Sequence, residues 1–368
     1  MAANLDQKIE NYTKSIERWT PNDGVQNKSA DLLHRGLAYY YLGNFHEAIQ
    51  DYAKAIEINP EEPQAYYHRG IAYYHTGEYD QAIRDYTKAI KFNLGDAMAY
   101  FHRATACQEK GDFSQAIADY TKAIELNPKH TATYIRRGIA FEDQAMPDQA
   151  IADFTRAIEL NPSEAESFLT RGIAYQNKGQ YDEAIADFTR ALELNQKYAK
   201  AYKNRGITYD DKGDYDKAIG DYTKAIEINP KSAISYANRG LDYYYKGDYE
   251  KAVLDFTNAI QLNPRDMKAY HRRGMAYEDK GDYRLAVADY TKTIELNPRY
   301  AIAYYNRGCA YYGLGHLEDA IIDYTKALEL NPRYADAYYN RGIAYEKKND
   351  LEKAENDFAK AEALETHH

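Results

Sequence analysis

Arginine stands at positions 35, 69, 103, 137, 171, 205, 239, 273, 307 and 341, ten times at a spacing of 34 without insertion or deletion. A strict period of this length means that one supersecondary unit is stacked repeatedly, each copy burying its apolar face on the next. Cut in this register, the units are 29–62, 63–96, 97–130, 131–164, 165–198, 199–232, 233–266, 267–300, 301–334 and 335–368. Composition does not shift between them, so the chain reads as one domain preceded by residues 1–28.

Within 301–334, Tyr304, Gly308 and Tyr311 fall at helical spacing, as do Ala320, Tyr324 and Ala327 further on. Each unit is therefore expected to be two helices. Gly315 stands where the first should stop and Asn331-Pro332 where the second should.

A 34-residue helix-turn-helix unit carrying Tyr304, Gly308, Tyr311, Ala320, Tyr324, Ala327 and Pro332 resembles the tetratricopeptide repeat family, and the resemblance covers residues 29–368. It implies an all-α fold, a right-handed superhelical α-solenoid whose first helices line a concave groove. One departure is systematic, since the family commonly has an apolar residue where every unit here has arginine. Local departures are Ala104 for the glycine, Cys107 for the tyrosine, and Ala145-Met146-Pro147 where most units have Gly-Asp-Tyr or a close variant.

The ends differ from the middle. Ile321 and Leu328 occupy second-helix places that should meet the following unit, and the corresponding residues of the last unit are Glu355 and Glu362. The array is thus expected to end there. Residues 5–19 match a second helix, with Ile9 and Ile16 in the stacking places, and read as a capping helix joined to the array by a linker at 21–28. His367 and His368 look like the stub of a tag and are given no function.

Arg307 lies within or beside the stripe that packs on the second helix, where an unpaired charge is expensive. Aspartate recurs in step with arginine, at 51, 85, 119, 153, 187, 221, 255, 289, 323 and 357. A ladder of bidentate pairs follows, Arg205 with Asp221 and Arg307 with Asp323 for example, in preference to an anion-binding track. Periodicity leaves open whether a pair closes within a unit or across a junction.

Function is then sought on the neighbouring stripe, which should face the groove and which differs between units. Its aromatic members are Tyr40, Tyr67, Tyr74 and Phe101 near one end, and Tyr244, Tyr305, Tyr312 and Tyr339, with Asn306, near the other. Acidic pairs lie among them, Glu142-Asp143, Asp210-Asp211 and Glu278-Asp279. Tyrosine supplies contact area with a polar handle, and carboxylates select basic partners. A narrower pattern matches family members that grip a free C-terminal carboxylate: by position it falls on Lys203, Asn238, Lys268 and Arg272, with Ile207 in place of an asparagine.

Composition sets the outer limits. With 44% hydrophobic and 28% charged residues the chain can bury a core, and 47 basic against 57 acidic residues disfavour a general nucleic-acid binder or docking on an anionic membrane. Two cysteines, Cys107 and Cys309, and a polar beginning without an apolar run point to the cytoplasm. His34, His68 and His102 recur at the repeat spacing, too far apart on successive helices to share a metal. No phosphate loop, HExxH or GxSxG motif appears, so neither enzyme activity nor a cofactor or metal is expected. The expected function is a scaffold or adaptor that takes a peptide or protein segment with basic and apolar residues in its groove. The alternatives are a chaperone cofactor using the partial clamp and a self-assembling rod.

Overall fold

The computed structural model describes residues 2–20, 25–93 and 95–365, all of whose regular structure is α-helical. Helix α1 is Ala2–Arg18. The first helices of the pairs are α2 (Val25–Tyr41), α4 (Pro63–His75), α6 (Ala97–Glu109), α8 (Thr131–Asp143), α10 (Ala165–Asn177), α12 (Ala199–Asp211), α14 (Ala233–Tyr245), α16 (Met267–Asp279), α18 (Ala301–Gly313) and α20 (Ala335–Lys347). The second helices are α3 (Phe45–Ile58), α5 (Tyr79–Phe92), α7 (Phe113–Leu126), α9 (Pro147–Leu160), α11 (Tyr181–Leu194), α13 (Tyr215–Ile228), α15 (Tyr249–Leu262), α17 (Tyr283–Leu296), α19 (Leu317–Leu330) and α21 (Leu351–Glu365). Where uniform composition reads as one domain, contacts divide the chain into two compact units, residues 1–194 and 195–368. A repeat pattern carries no information about such a division, because the same residues recur on both sides of it.

Local chemistry ends each helix where the periodicity predicts. Gly315 has φ of 79°, and the amide of His316 returns to the carbonyl of Tyr311 at 2.9 Å, so the last turn of α18 is closed. Asn331 ends α19 with its amide on the Ala327 carbonyl at 2.8 Å, and its side-chain oxygen accepts from the amide of Arg333. Two turns lack the glycine: Asn349 takes its place with φ of 65°, and Ala145 adopts φ of 55°, with Pro147 opening α9.

Packing inside a pair explains the glycine. A Cβ on Gly308 would lie 2.7 Å from Cε1 of Tyr324, so only hydrogen lets α18 settle on the fully buried ring of α19. Alanines 320 and 327 and Leu328 then carry the contact onward to Ala344 and Ala337 of the next first helix. Helix α1 does the same at the start, with Ile16 against Leu32 and Ala55. Residues 25–28, expected as linker, instead form the first turn of α2, where Lys28 lies 4.4 Å over the Trp19 ring; residues 21–24 and 366–368 lie outside the described residues. Glu355 and Glu362 are exposed on α21.

The arginine ladder closes within each pair. Arg307 donates through Nε and Nη2 to the two oxygens of Asp323 at 2.7 and 2.8 Å, and its Nη1 reaches back to Thr291 Oγ1 of the preceding second helix at 3.0 Å. Its guanidinium also lies between the Tyr304 and Tyr311 rings, 5.7 and 5.9 Å from their centroids. The same bidentate pairing joins Arg205 to Asp221 and each other member of the series. All ten aspartates are buried, at 2 to 6% exposure.

Candidate functional site

Successive first helices touch one another within each unit, α2 on α4, α4 on α6 and α6 on α8 in the first, and α12 through α20 likewise in the second. This places the first helices on the inner face of each stack, where the variable stripe lies. Its side chains are bonded to one another at a spacing of 35, one residue beyond the repeat.

In the first unit Tyr40 Oη meets His75 Nε2 at 2.9 Å, Tyr74 Oη donates to Glu109 at 3.4 Å, Gln108 donates to Asp143 at 3.3 Å and Asn177 to Glu142 at 3.5 Å. Glu142 is half-buried, and burial holds its carboxyl above the usual range. Between α2, α4 and α6 a cavity of about 430 Å³ is lined by Leu37, Tyr40, Tyr41, Tyr67, His68, Ile71, Tyr74, His75, Tyr86 and His102. Tyr67 stands edge-on to both His68 and His102, at 5.2 and 5.6 Å between ring centroids, while Phe101 packs on His102 and His130. Burial lowers His68 and His102, His102 to about 4, so the His102 ring carries no charge at neutral pH.

The second unit repeats the device with other residues. Tyr244 donates to Asp279 at 2.6 Å, Asn306 meets His271 at 3.0 Å and Asn340 donates to Tyr305 at 2.8 Å. Burial, with Arg272 beside it, lowers His271 to about 4. Tyr305 packs on Tyr324 and Tyr334, Tyr312 carries Lys347 at 4.8 Å, and Tyr339 remains 53% exposed against Phe358. Glu278 accepts from Tyr290 Oη at 2.6 Å, and its place at the spacing of 35 is Gly313, which has no side chain to bond. Asp210 turns to a second carboxyl, that of Asp242 on α14, while Asp211 beside it is exposed.

The tetratricopeptide repeat profile matches residues 63–94, 97–130, 131–164, 165–198, 199–232, 233–266, 268–300 and 301–334, and related repeat profiles match 36–77 and 323–356. The chain belongs to the tetratricopeptide repeat family. Repeats of this family build scaffolds for protein–protein interaction, and this chain is such a scaffold. The C-terminal part of a tetratricopeptide repeat protein from Cytophaga hutchinsonii is similar, at 22% identity over 65% of this chain and 98% of its own, with a TM-score of 0.56. One from Parabacteroides merdae is 23% identical over 70% and 98%, at 0.50. Both show the fold. YrrB, described as having an unusual peptide-binding site, is 28% identical over 50% of this chain and 96% of its own, at 0.43. No protein of curated function matches the chain.

Among the tetratricopeptide repeats of the second unit, the residues of the carboxylate-grip pattern are scattered in role. Lys203 is half-buried on α12, and Asn238 donates to Tyr222 Oη at 3.4 Å. Lys268 is exposed at the start of α16, while Arg272 on the same helix acts on the carboxyl of Asp210. Asp242 is the residue that a search for exposed acidic pairs misses. Its signal is positional, since eight units have alanine at this place, Ala276 and Ala310 among them, and one has Thr208. Among the described residues no group of three His, Cys, Asp or Glu is arranged to hold a metal, and no helix is long and apolar enough to cross a membrane.

Proposed function

We propose that the inner faces of the two units bind protein segments, in extended or helical form, that carry basic and apolar side chains. The observation that carries this reading is the contrast between constancy and variation. Arginine, aspartate and the small core residues recur unit after unit, whereas the inner stripe is aromatic along α2, α4 and α6 and acidic at the ends of α8, α12 and α16. Variation confined to one face is what recognition by a repeat scaffold requires.

Rigidity supports the reading as well. Side chains already bonded to their neighbours lose little further freedom when a ligand arrives, so contact with them is less costly in entropy. The aromatic-lined cavity around Tyr67 and His102 suits an apolar or aromatic anchor, and exposed Asp143, Asp211 and Asp279 suit flanking lysine or arginine. A grip on a free C-terminal carboxylate has less support, because the charge of Arg272 acts on Asp210 and Asn238 donates to Tyr222. The cytoplasm is the compartment that fits two free cysteines.

Selection of phage-displayed random dodecamers on the protein tests this. Selected peptides should be enriched in Lys, Arg and apolar residues, and Tyr74→Ala or Asp211→Lys should weaken binding about tenfold or more, the loss of one anchor or charge pair. Peptides that bind both variants as tightly as the original protein would contradict it.

A further inference from the structure

Asp242 breaks the repeat in a way the fold does not require. It is 0% exposed, and neither of its oxygens accepts a hydrogen bond from a donor among the described residues. Alanine at this place packs well in eight units, as Ala276 does against Ala252 and Phe256. A carboxyl left without a donor in such a place destabilises the stack that holds it.

The group that Asp242 faces is another carboxyl, Asp210 on α12. Around the two stand Asp211 on α12, Tyr222 on α13 and Arg272 on α16. Tyr222 takes its hydrogen bond from Asn238 rather than giving one to the pair in its place, and Arg272 acts on Asp210 through space. Two carboxyls in contact cannot both ionise unless a cation joins them, so in the free protein they share a proton. Burial, then the neighbouring Asp210, raises Asp242 to about 8, and burial raises Asp210 too. Asp242 is sealed, but Asp210 is only half-buried and opens on the inner face beside Asp211.

We infer that the Asp210 and Asp242 pair receives one basic side chain, a lysine or arginine of the protein segment bound on the inner face of the second unit. The cation enters over Asp210 and replaces the shared proton, which leaves to solvent, so both carboxyls become ionised against it. The site thus gives the scaffold a preference for a long, flexible cationic side chain at one fixed place. This rests on the inner-face reading. A divalent ion fits less well, since hard cations need about six oxygens and among the described residues no group of three His, Cys, Asp or Glu is arranged to hold one.

Hexaarginine is a suitable probe, titrated calorimetrically into the full chain at pH 7 in two buffers of different ionisation enthalpy. The variants are Asp242→Ala, which restores the residue of eight other units, and Glu329→Gln, which removes a charge from α19 far from the pair in sequence. Binding by the original protein should release close to one proton, and Asp242→Ala should weaken it about tenfold and abolish the release. Glu329→Gln should change affinity less than twofold. Unfolding transitions of the variants show whether the stack is intact. Equal binding by Asp242→Ala, or binding without proton release, overturns the inference while leaving the inner-face reading in place. No binding of hexaarginine by the original protein also overturns it, and dodecamer selection then decides separately whether the inner face binds anything. Proton release on addition of magnesium chloride alone, lost in Asp242→Ala, would make the pair a metal site and likewise overturn it.

Discussion

Arg307 and Asp323 are joined by two parallel hydrogen bonds of 2.7 and 2.8 Å between the helices of one pair, with the aspartate 3% exposed. Because Arg307 also reaches Thr291 at 3.0 Å, the same side chain ties its own pair together and pins it to the one before. Removing the arginine leaves a buried carboxylate with no counter-charge. Arg307→Ala should therefore cost about 3–5 kcal/mol, measured by urea unfolding, whereas Thr291→Ala should cost about 1 kcal/mol. Equal and small effects would show that the ladder is not structural.

Gly308 is constrained by Tyr324 rather than by its backbone angles, since an added Cβ meets the ring at 2.7 Å. Gly308→Ala should cost about 1–3 kcal/mol through displacement of a fully buried ring, read as a lower melting temperature. Ala104 shows that one pair can absorb the methyl, and there Thr105 and Gln108 bond the hydroxyl of Tyr120 at 3.2 and 3.0 Å.

Ala145 is held at φ of 55° where eight turns have glycine at 74 to 83°. A left-handed conformation costs a residue with a Cβ about 1–2 kcal/mol, partly offset by the greater freedom of glycine in the unfolded chain. Ala145→Gly should raise stability by about 0.5–1 kcal/mol, again by urea unfolding, and a loss of stability would contradict the strain.

Asp242 makes stability fall with rising pH. Its carboxyl is near the ordinary value of about 4 when unfolded and near 8 when folded, so the folded state binds the extra proton between those values. The stabilisation is complete below about pH 4 and is lost as pH rises through about 8. Half-buried His68, His102 and His271 work in the opposite sense, because they are lowered in the folded state and destabilise it as they protonate below their ordinary value of about 6.5. Comparison with Asp242→Ala separates the two: the variant should be more stable than the original at pH 9, with the difference shrinking toward pH 5. Parallel stability profiles would contradict the buried carboxyl.

What could be read from the residues follows from the kind of spacing each feature has. The helix pairs, the turn glycines and the matched series of arginines and aspartates were legible because they repeat every 34 residues in step. Which aspartate each arginine takes was not, since one period fits a partner 16 residues ahead as well as one 18 behind. The bonds along the inner face, Tyr244 to Asp279 or Asn340 to Tyr305, hide because their spacing of 35 belongs to two neighbouring parallel helices rather than to the repeat. They turn a stripe of expected free contacts into a connected surface. Glu278 was expected to face the groove beside Asp279, and its hydrogen bond from Tyr290 draws it toward the core instead. The first turn of α2 was missed because residues 25–28 have no counterpart elsewhere in the period.

Inner-face recognition is tested most directly by site-specific photocrosslinking. A benzophenone amino acid placed at Tyr74 or Tyr312, on first helices, or at Ile322, exposed on α19, is irradiated with a peptide selected on the original protein. Crosslinks should form from the first-helix positions and not from 322. Crosslinking confined to 322 would place recognition on the outer helices and contradict it.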